Sequence, residues 1–575
     1  MLESISFKVA GEAGAGVMTT GQSLATLVSS LGFNVFGYSE YPSLIRGGHN
    51  TYQVTFSKLP VRSPKHTTEV LVALNPNGIK LHLNELTSKS TVIYDSHAFN
   101  TDEQNLPAKV RKIDLPAHKI ALDNNADPLM ANNASLGAAV AVLGIPFVEL
   151  ENVLTRSFTA KGTQVIVQNV KVAKDGFDYV NTKYPDILPL IKTPRKDQLL
   201  ISGNEAIALG ALAAGCKFFA GYPMTPTSAL MHFLAKNGPK HDMVVKHTED
   251  EISAVNMAIG ASFTGVRAMT ATSGGGFALM SEGVSLAGIT ETPIVIVEGQ
   301  RPGPATGMPT WTAQEDLDFV LSAGHGEFPR IVLSPGDISE CFWSTVEAFN
   351  LADIYQTPVI ILTDKMVLES HATVDLFDLS KITIDRGRLI TQRDKPKNYS
   401  RYQITTNGIS PRAIPGMRGF VFAANSDEHE ESGQSTESDK TRIQMTQKRF
   451  RKLALLSTKT PPFRPINPQK GKLKIISFGS NKGVILDALD MVANKNDYSF
   501  LSIDRLNPIN TKSLVNYLKN GSNVIVVENN FTGQLEGYLK KVTGVTISHR
   551  VRRYDGRPFM AYDLAKIFEK TIQKI

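Results

Sequence analysis

The sequence holds only two cysteines, Cys216 and Cys341, in 575 residues. Two thiols exclude a disulfide framework and fit a reducing compartment. They also exclude a four-iron cluster held by this chain alone, because such a cluster takes four cysteine ligands. No apolar run reaches the ~20 residues needed to cross a bilayer. The start, Met1-Leu2-Glu3-Ser4-Ile5-Ser6-Phe7, lacks the basic residues and cleavage site of a secretory signal. The expectation is a cytoplasmic protein without a membrane partner. His66, His82, His97 and His118 have no ligand spacing and are read as structural or exposed. His429 stands among acids without a second ligand nearby, so it reads as part of a solvated loop; no metal site is expected. The formal charge of +7 is spread along the chain. Its densest cluster, Gln447 to Lys452, has no interleaved stacking aromatics, so it reads as a solvated face or an inter-subunit contact rather than a nucleic-acid surface.

What is present describes a globular α/β chain of several domains, since 42% of residues are apolar and 20% charged. Residues 1–190 open with a strand at Ile5 to Val9, a glycine-rich turn (Gly11, Gly14, Gly16) and a helix to Ser30. The glycine spacing is not the dinucleotide fingerprint, which argues against a nicotinamide. Gly14 and Gly16 form either a backbone nest for phosphate or a tight turn packed on a neighbour. Arg46 lies between Pro42 and the pair Gly47-Gly48, where it either reaches an anion or ties down its own loop. An alternating strand is expected at Thr51 to Phe56, further strands at Val70–Leu74 and Thr91–Tyr94, and a closing helix from Asn132 to Leu143.

Residues 197–385 alternate strands and helices in the manner of a doubly wound parallel sheet; the β-branched run Val359 to Asp364 suits a strand buried on both faces. Residues 386–465 read as an irregular, charged linker segment, and 466–575 as a small final α/β domain with strands at Leu473–Phe478 and Val524–Val527.

The stretch from Gly221 to Glu251 organises the middle domain. Two prolines, Pro223 and Pro226, restrict their own φ and hold Tyr222 and Thr225 extended. The Thr225 hydroxyl then sits on a stiff turn, with Thr227 and Ser228 placed to cap a helix over Ala229 to Lys236. Glu249, Asp250 and Glu251 precede a run of small and apolar residues at helical spacing. They either complement the positive end of that helix or place one carboxylate in a buried pocket.

Taken together, Gly221–Ser228, Glu251, Thr270–Phe277 and Gln300–Thr310, with their Tyr-Pro-x-Thr-Pro signature, resemble the α subunit of a 2-oxoacid:ferredoxin oxidoreductase. The likeness is to the form that carries the γ domain at its N-terminus, and it covers nearly the whole chain. It implies three α/β domains: a γ domain (1–190), a pyrimidine-binding thiamine-diphosphate domain (197–385) and, after the linker, a transketolase C-terminal-like domain (466–575). It further implies CoA-dependent oxidative decarboxylation of a 2-oxoacid, with electrons passed to ferredoxin.

Under that resemblance Glu251 is the carboxylate against the aminopyrimidine N1′, with Glu249 as runner-up. Tyr222 and Thr225 belong to the 2-oxoacid site, while Pro223, Pro226, Ser273 and Gly274 lie beside the cofactor. CoA enters as substrate, and Gly14, Gly16 and Arg46 are candidates for its phosphates. The family's Gly-Asp-Gly motif for Mg²⁺ and diphosphate is missing, since Gly336-Asp337-Ile338 lacks the second glycine. That motif and the 4Fe-4S cysteines are therefore expected on a separate β subunit that shares the thiamine diphosphate. One departure stands out. The family continues Gly-x-Pro-Thr with Arg or Lys, whereas Gly307-Met308-Pro309-Thr310 runs into Trp311. Either Arg301 carries the anion, or hydrophobic 2-oxoacids are favoured over 2-oxoglutarate. The alternative is a non-oxidative or idle paralogue that acts as an assembly scaffold.

Overall fold

The computed structural model describes residues 4–44, 47–99, 106–107, 109–184, 197–391, 394, 398–467, 471–519 and 523–575. The chain falls into two compact units. One comprises Met1–Ile201, Ser370–Leu376 and Met560–Tyr562; the other comprises Ser202–Glu369, Phe377–Phe559 and Asp563–Ile575. Residues 197–201 and 370–376, assigned from sequence to the middle domain, thus lie with the N-terminal unit.

The first unit is built on an eight-stranded mixed sheet in the order Arg111–Asp114, Thr91–Tyr94, Val70–Ala73, Ser4–Ala13, Gly47–Ser57, Asn34–Glu40, His371–Asp375 and Gln198–Ser202. Ser4–Ala13 runs antiparallel to Gly47–Ser57 and parallel to Val70–Ala73. Helices Val17–Ser30, Ala131–Val142, Phe147–Phe158 and Thr163–Lys183 share one apolar core with it, so the helix at 131–142 does not close the domain. Thr51 to Ser57 is buried throughout rather than alternating. Its polar residues are covered because they are bonded: the Gln53 amide donates to Ser6 Oγ (2.8 Å) and to the Lys65 carbonyl (2.7 Å), and Thr55 Oγ1 accepts from Lys65 N. His82 is buried beside His49, with 2.8 Å between their Nε2 atoms, and against Glu85.

The second unit carries a seven-stranded sheet ordered Arg505–Asn507, Ile331–Leu333, Pro358–Asp364, Ile294–Gln300, Ala268–Thr272, Phe218–Gly221 and Val244–His247. All its neighbours are parallel except the first pair. Pro358–Asp364 is buried along its full length, as its β-branched composition predicts. A four-stranded parallel sheet, Tyr498–Ile503, Leu473–Phe478, Asn523–Glu528 and His549–Arg552, completes the unit. Functional loops leave the carboxyl ends of the seven-stranded sheet, where parallel α/β sheets place their ligands.

Residues 386–465 overturn three expectations. They include a 21-residue helix, Asp439–Lys459, started by the Ser438 side chain accepting from Thr441 N. The basic run is not a solvated face: Lys448, Arg449 and Lys452 are buried. Lys448 Nζ and Lys452 Nζ both meet the Glu291 carboxylate, and Arg449 forks onto Glu428 at 2.7–2.9 Å. Nor is His429 solvated; it is buried with its ring 4.1 Å from that of Tyr402. The composition is charged because the core here is ionic, and charge alone does not reveal whether a partner awaits it inside.

Candidate active site

Strand Phe218–Gly221 ends in the Tyr222–Thr227 turn, which three neighbours hold from different sides. Buried Asn204 donates to the carbonyls of Pro226 and Leu368, both at 3.0 Å. Arg301 Nη1 donates to the Thr225 carbonyl at 2.8 Å. Gly299 lies so close that a Cβ there would come within 2.9 Å of Pro226 Cγ. Thr227 does not cap helix Ser228–Asn237; its hydroxyl donates to the Met224 carbonyl at 2.9 Å instead. Thr225 and Pro223 are half-buried, Tyr222 is exposed, and the Thr225 hydroxyl donates to no described residue.

Of the three successive acids, the structure separates the roles cleanly. Glu249 is exposed and accepts from Ser253 Oγ at 2.7 Å. Asp250 caps helix Glu251–Phe263 by accepting from Ser253 N at 2.8 Å. Glu251, the first helical residue, is 3% exposed, and its Oε1 is buried with no hydrogen-bond partner. Burial raises its pKa above the ordinary carboxylate value, against the opposing charge of Arg301. The runner-up Glu249 has neither the burial nor the freedom.

Glycines make the room around it. A Cβ on Gly276 would lie 2.6 Å from Glu251 Oε1, and one on Gly274 would lie 2.4 Å from Asp316 Oδ2. Backbone therefore approaches both carboxyls as only glycine permits. Ser273 is fully buried, and its hydroxyl has no partner. A second acid that sequence reading missed is Glu298, whose two oxygens are buried without a donor. Burial, together with the charge of Asp316, raises its pKa well above the usual range, while Asp316 is pushed up to about 6 by burial. Arg301 is half-buried, and the charges of Asp316, Glu298 and Glu251 act on it. These acids carry no sequence signature, since Glu298 lies in an apolar strand and Asp316 in an irregular stretch.

Trp311 is half-buried, and the Arg557 guanidinium lies over its ring, 3.1 Å from the centroid. In the N-terminal unit, Gly14 and Gly16 take positive φ of 91° and 80°. A Cβ on Gly16 would fall 1.7 Å from Asn132 Nδ2, which favours a turn packed on its neighbour there; Gly14 faces open space. Arg46 lies outside the described residues.

The family described as "Pyruvate flavodoxin/ferredoxin oxidoreductase, thiamine diP-bdg" matches residues 209–448, and "Pyruvate ferredoxin/flavodoxin oxidoreductase" matches residues 6–179. The 2-oxoacid:ferredoxin oxidoreductase subunit alpha of Saccharolobus solfataricus is 33% identical, over 99% of this chain and 98% of its own length. The 2-oxoglutarate synthase subunit KorA of Archaeoglobus fulgidus is 35% identical over 60% of this chain and 91% of its own. Among solved structures, the 2-oxoglutarate:ferredoxin oxidoreductase from Magnetococcus marinus, with 2-oxoglutarate, coenzyme A and succinyl-CoA bound, superposes with a TM-score of 0.93. It is 29% identical over 99% of this chain and 100% of that one.

Proposed function

The chain belongs to the 2-oxoacid:ferredoxin oxidoreductase family as an alpha subunit, and from that premise we propose that the cluster around Glu251 is its half of a thiamine-diphosphate active site. The buried, unpartnered Glu251 Oε1 facing Gly276 carries this reading, because a carboxyl so placed is left with one use: sharing a proton with a ligand atom. The residues fit the aminopyrimidine half of the cofactor, with Glu251 at N1′ and Ser273, Gly274, Pro223 and Pro226 lining it. When bound, thiamine diphosphate supplies an electron sink for the carbon that loses CO₂. Glu251 keeps its proton near N1′ because burial holds its pKa up. Thr225 offers its free hydroxyl to the 2-oxoacid, and Arg301 holds the Thr225 carbonyl so that this hydroxyl keeps its direction. Tyr222 borders the same turn.

Mg²⁺, the diphosphate motif and the 4Fe-4S cluster belong on a β subunit, because this chain has no Gly-Asp-Gly and only two cysteines, both buried. CoA is the acyl acceptor, and ferredoxin takes the electrons. Residues 1–190 serve as the γ domain, 197–385 (less 197–201 and 370–376, which lie with the first unit) as the pyrimidine-binding domain and 466–575 as the transketolase C-terminal-like domain. No helix among the described residues is long and apolar enough to cross a membrane. The test is anaerobic viologen reduction by the αβ complex with a panel of 2-oxoacids, with and without CoA. CoA-dependent reduction is expected; a cofactor-replete complex that reduces nothing with any acid would return the chain to a scaffold.

A further inference from the structure

Replacing a basic residue by Trp311 was expected to make this end of the site apolar, but the geometry points to the opposite. We propose that Arg557, lying over the Trp311 indole, receives the second carboxylate of a dicarboxylic 2-oxoacid and so makes the chain prefer such acids to hydrophobic ones. The proposal rests on the Glu251–Thr225 cluster being the reacting end of the site.

Three observations carry it. Arg557 is fixed beside the loop that begins at Arg301: Thr312 N donates to the Gly556 carbonyl at 3.2 Å. A Cβ on Gly556, whose φ is +78°, would lie 3.2 Å from Trp311 Cβ and 3.3 Å from Met308 Cε. The loop itself is closed by Met308 N donating to the Pro302 carbonyl, and its first residue holds Thr225. One loop therefore holds the reacting-end contact through Arg301 at one end and supports Arg557 through Trp311 and Thr312 at the other.

Next, Arg557 is the uncommitted cation of the pair. Arg301 already feels Asp316, Glu298 and Glu251. The acid nearest Arg557 in sequence, Asp555, is spent on Arg553 Nε (2.9 Å) and on the Arg557 backbone N–H (2.9 Å). Arg557 forms no ion pair among the described residues, and its Nη1 is buried without an acceptor. A buried charged donor left unmade costs free energy that an arriving anion would recover.

Finally, the indole supports the guanidinium from one side, 3.1 Å from the ring centroid. Cation–π contact offsets part of its desolvation while leaving Nη1 without an acceptor, and a guanidinium with free N–H donors suits a carboxylate. A hydrophobic 2-oxoacid would cover those donors and satisfy none of them.

The experiment uses the αβ complex with saturating CoA and compares 2-oxoglutarate with 2-oxobutyrate for the wild type, Arg557→Met and Arg557→Lys. Arg557→Met should lower the ratio of kcat/KM for 2-oxoglutarate over 2-oxobutyrate roughly 10- to 100-fold, mostly through KM. Arg557→Lys, which keeps the charge but not the fork, should fall between. Equal losses with both acids, or a rise confined to the KM for CoA, would overturn the proposal. Calorimetric titration of the same complexes with each acid in the absence of CoA separates this question from turnover. Should no acid be oxidised, the active-site reading falls, and the titration decides Arg557 alone. Selective loss of 2-oxoglutarate binding in Arg557→Met upholds the proposal, and equal affinities for the two acids in the wild type overturn it.

Discussion

The second unit treats its buried carboxylates in opposite ways. Near the Tyr222–Thr227 turn, Glu251 and Glu298 are nearly or fully buried with oxygens that meet no donor, and their pKa values rise. Elsewhere in the unit, Glu291 is just as buried but meets two lysines, while the backbone carbonyl of the same residue accepts from Arg401 at 2.9 Å. Asp353 meets Arg267, Arg386 and Arg412, each at 2.8 Å. Against the cost of burial, the charges of Lys448, Lys452 and Arg401 hold the Glu291 carboxyl well below the usual range. Depth is shared between the two sites, so depth does not decide what a buried acid does. The cations do. Saturated acids fasten the 386–465 segment to the body of the unit, whereas on the reading proposed above the starved acids are left for a ligand.

The largest expected effects set the two classes apart. Glu251→Gln should lower kcat by roughly 10²- to 10⁴-fold in viologen reduction while the thermal midpoint stays level or rises, since a neutral amide suits that pocket. A wild-type rate would remove Glu251 from the chemistry. Glu291→Gln should do the reverse and destabilise the chain by about 3–5 kcal/mol, because Lys448 and Lys452 would be left buried and unpaired. Denaturant unfolding reads this directly, and an unchanged midpoint would mean that water reaches the lysines. Smaller again is Thr225→Ala, expected to raise the KM for the 2-oxoacid about tenfold through loss of one hydroxyl contact. An unchanged KM would place the hydroxyl outside the substrate site.

Much of the starved site was legible in the sequence, and little of the saturated one. Prolines 223 and 226, the glycines at 274–276 and the acids before an Ala/Gly-rich helix act through local backbone rules, which sequence spacing records. Choosing Glu251 over Glu249 rested on the family resemblance, and the helix agrees with it, because only Glu251 begins the buried face. Glu298, Asp316 and Arg557 were missed for a common reason: each acquires its role from residues that are distant in the chain. The Glu291 pairs span 157 and 161 positions, so Lys448 and Lys452 looked like a solvated face. The cation over the Trp311 ring escaped notice in the same way, since Arg557 lies 246 positions further on.

The finest test of the contrast is a titration. Asp316 has its pKa raised by burial from an ordinary 3.8 to about 6. Its folded form therefore binds more protons than its unfolded form between those values, and stability must fall as pH rises through that window. The stabilisation is complete below pH 3.8 and gone above about pH 6. Asp316→Asn fixes the neutral form and should raise the thermal midpoint by about 2 °C or more at pH 7.5, with the gain shrinking toward pH 4.5. Ion-paired Asp353 should respond with the opposite sign at pH 7.5, because Asp353→Asn strands three buried or half-buried arginines. If both substitutions destabilised equally at pH 7.5, the acids near Glu251 would be held by structure after all, and their claim to be waiting for a ligand would lapse.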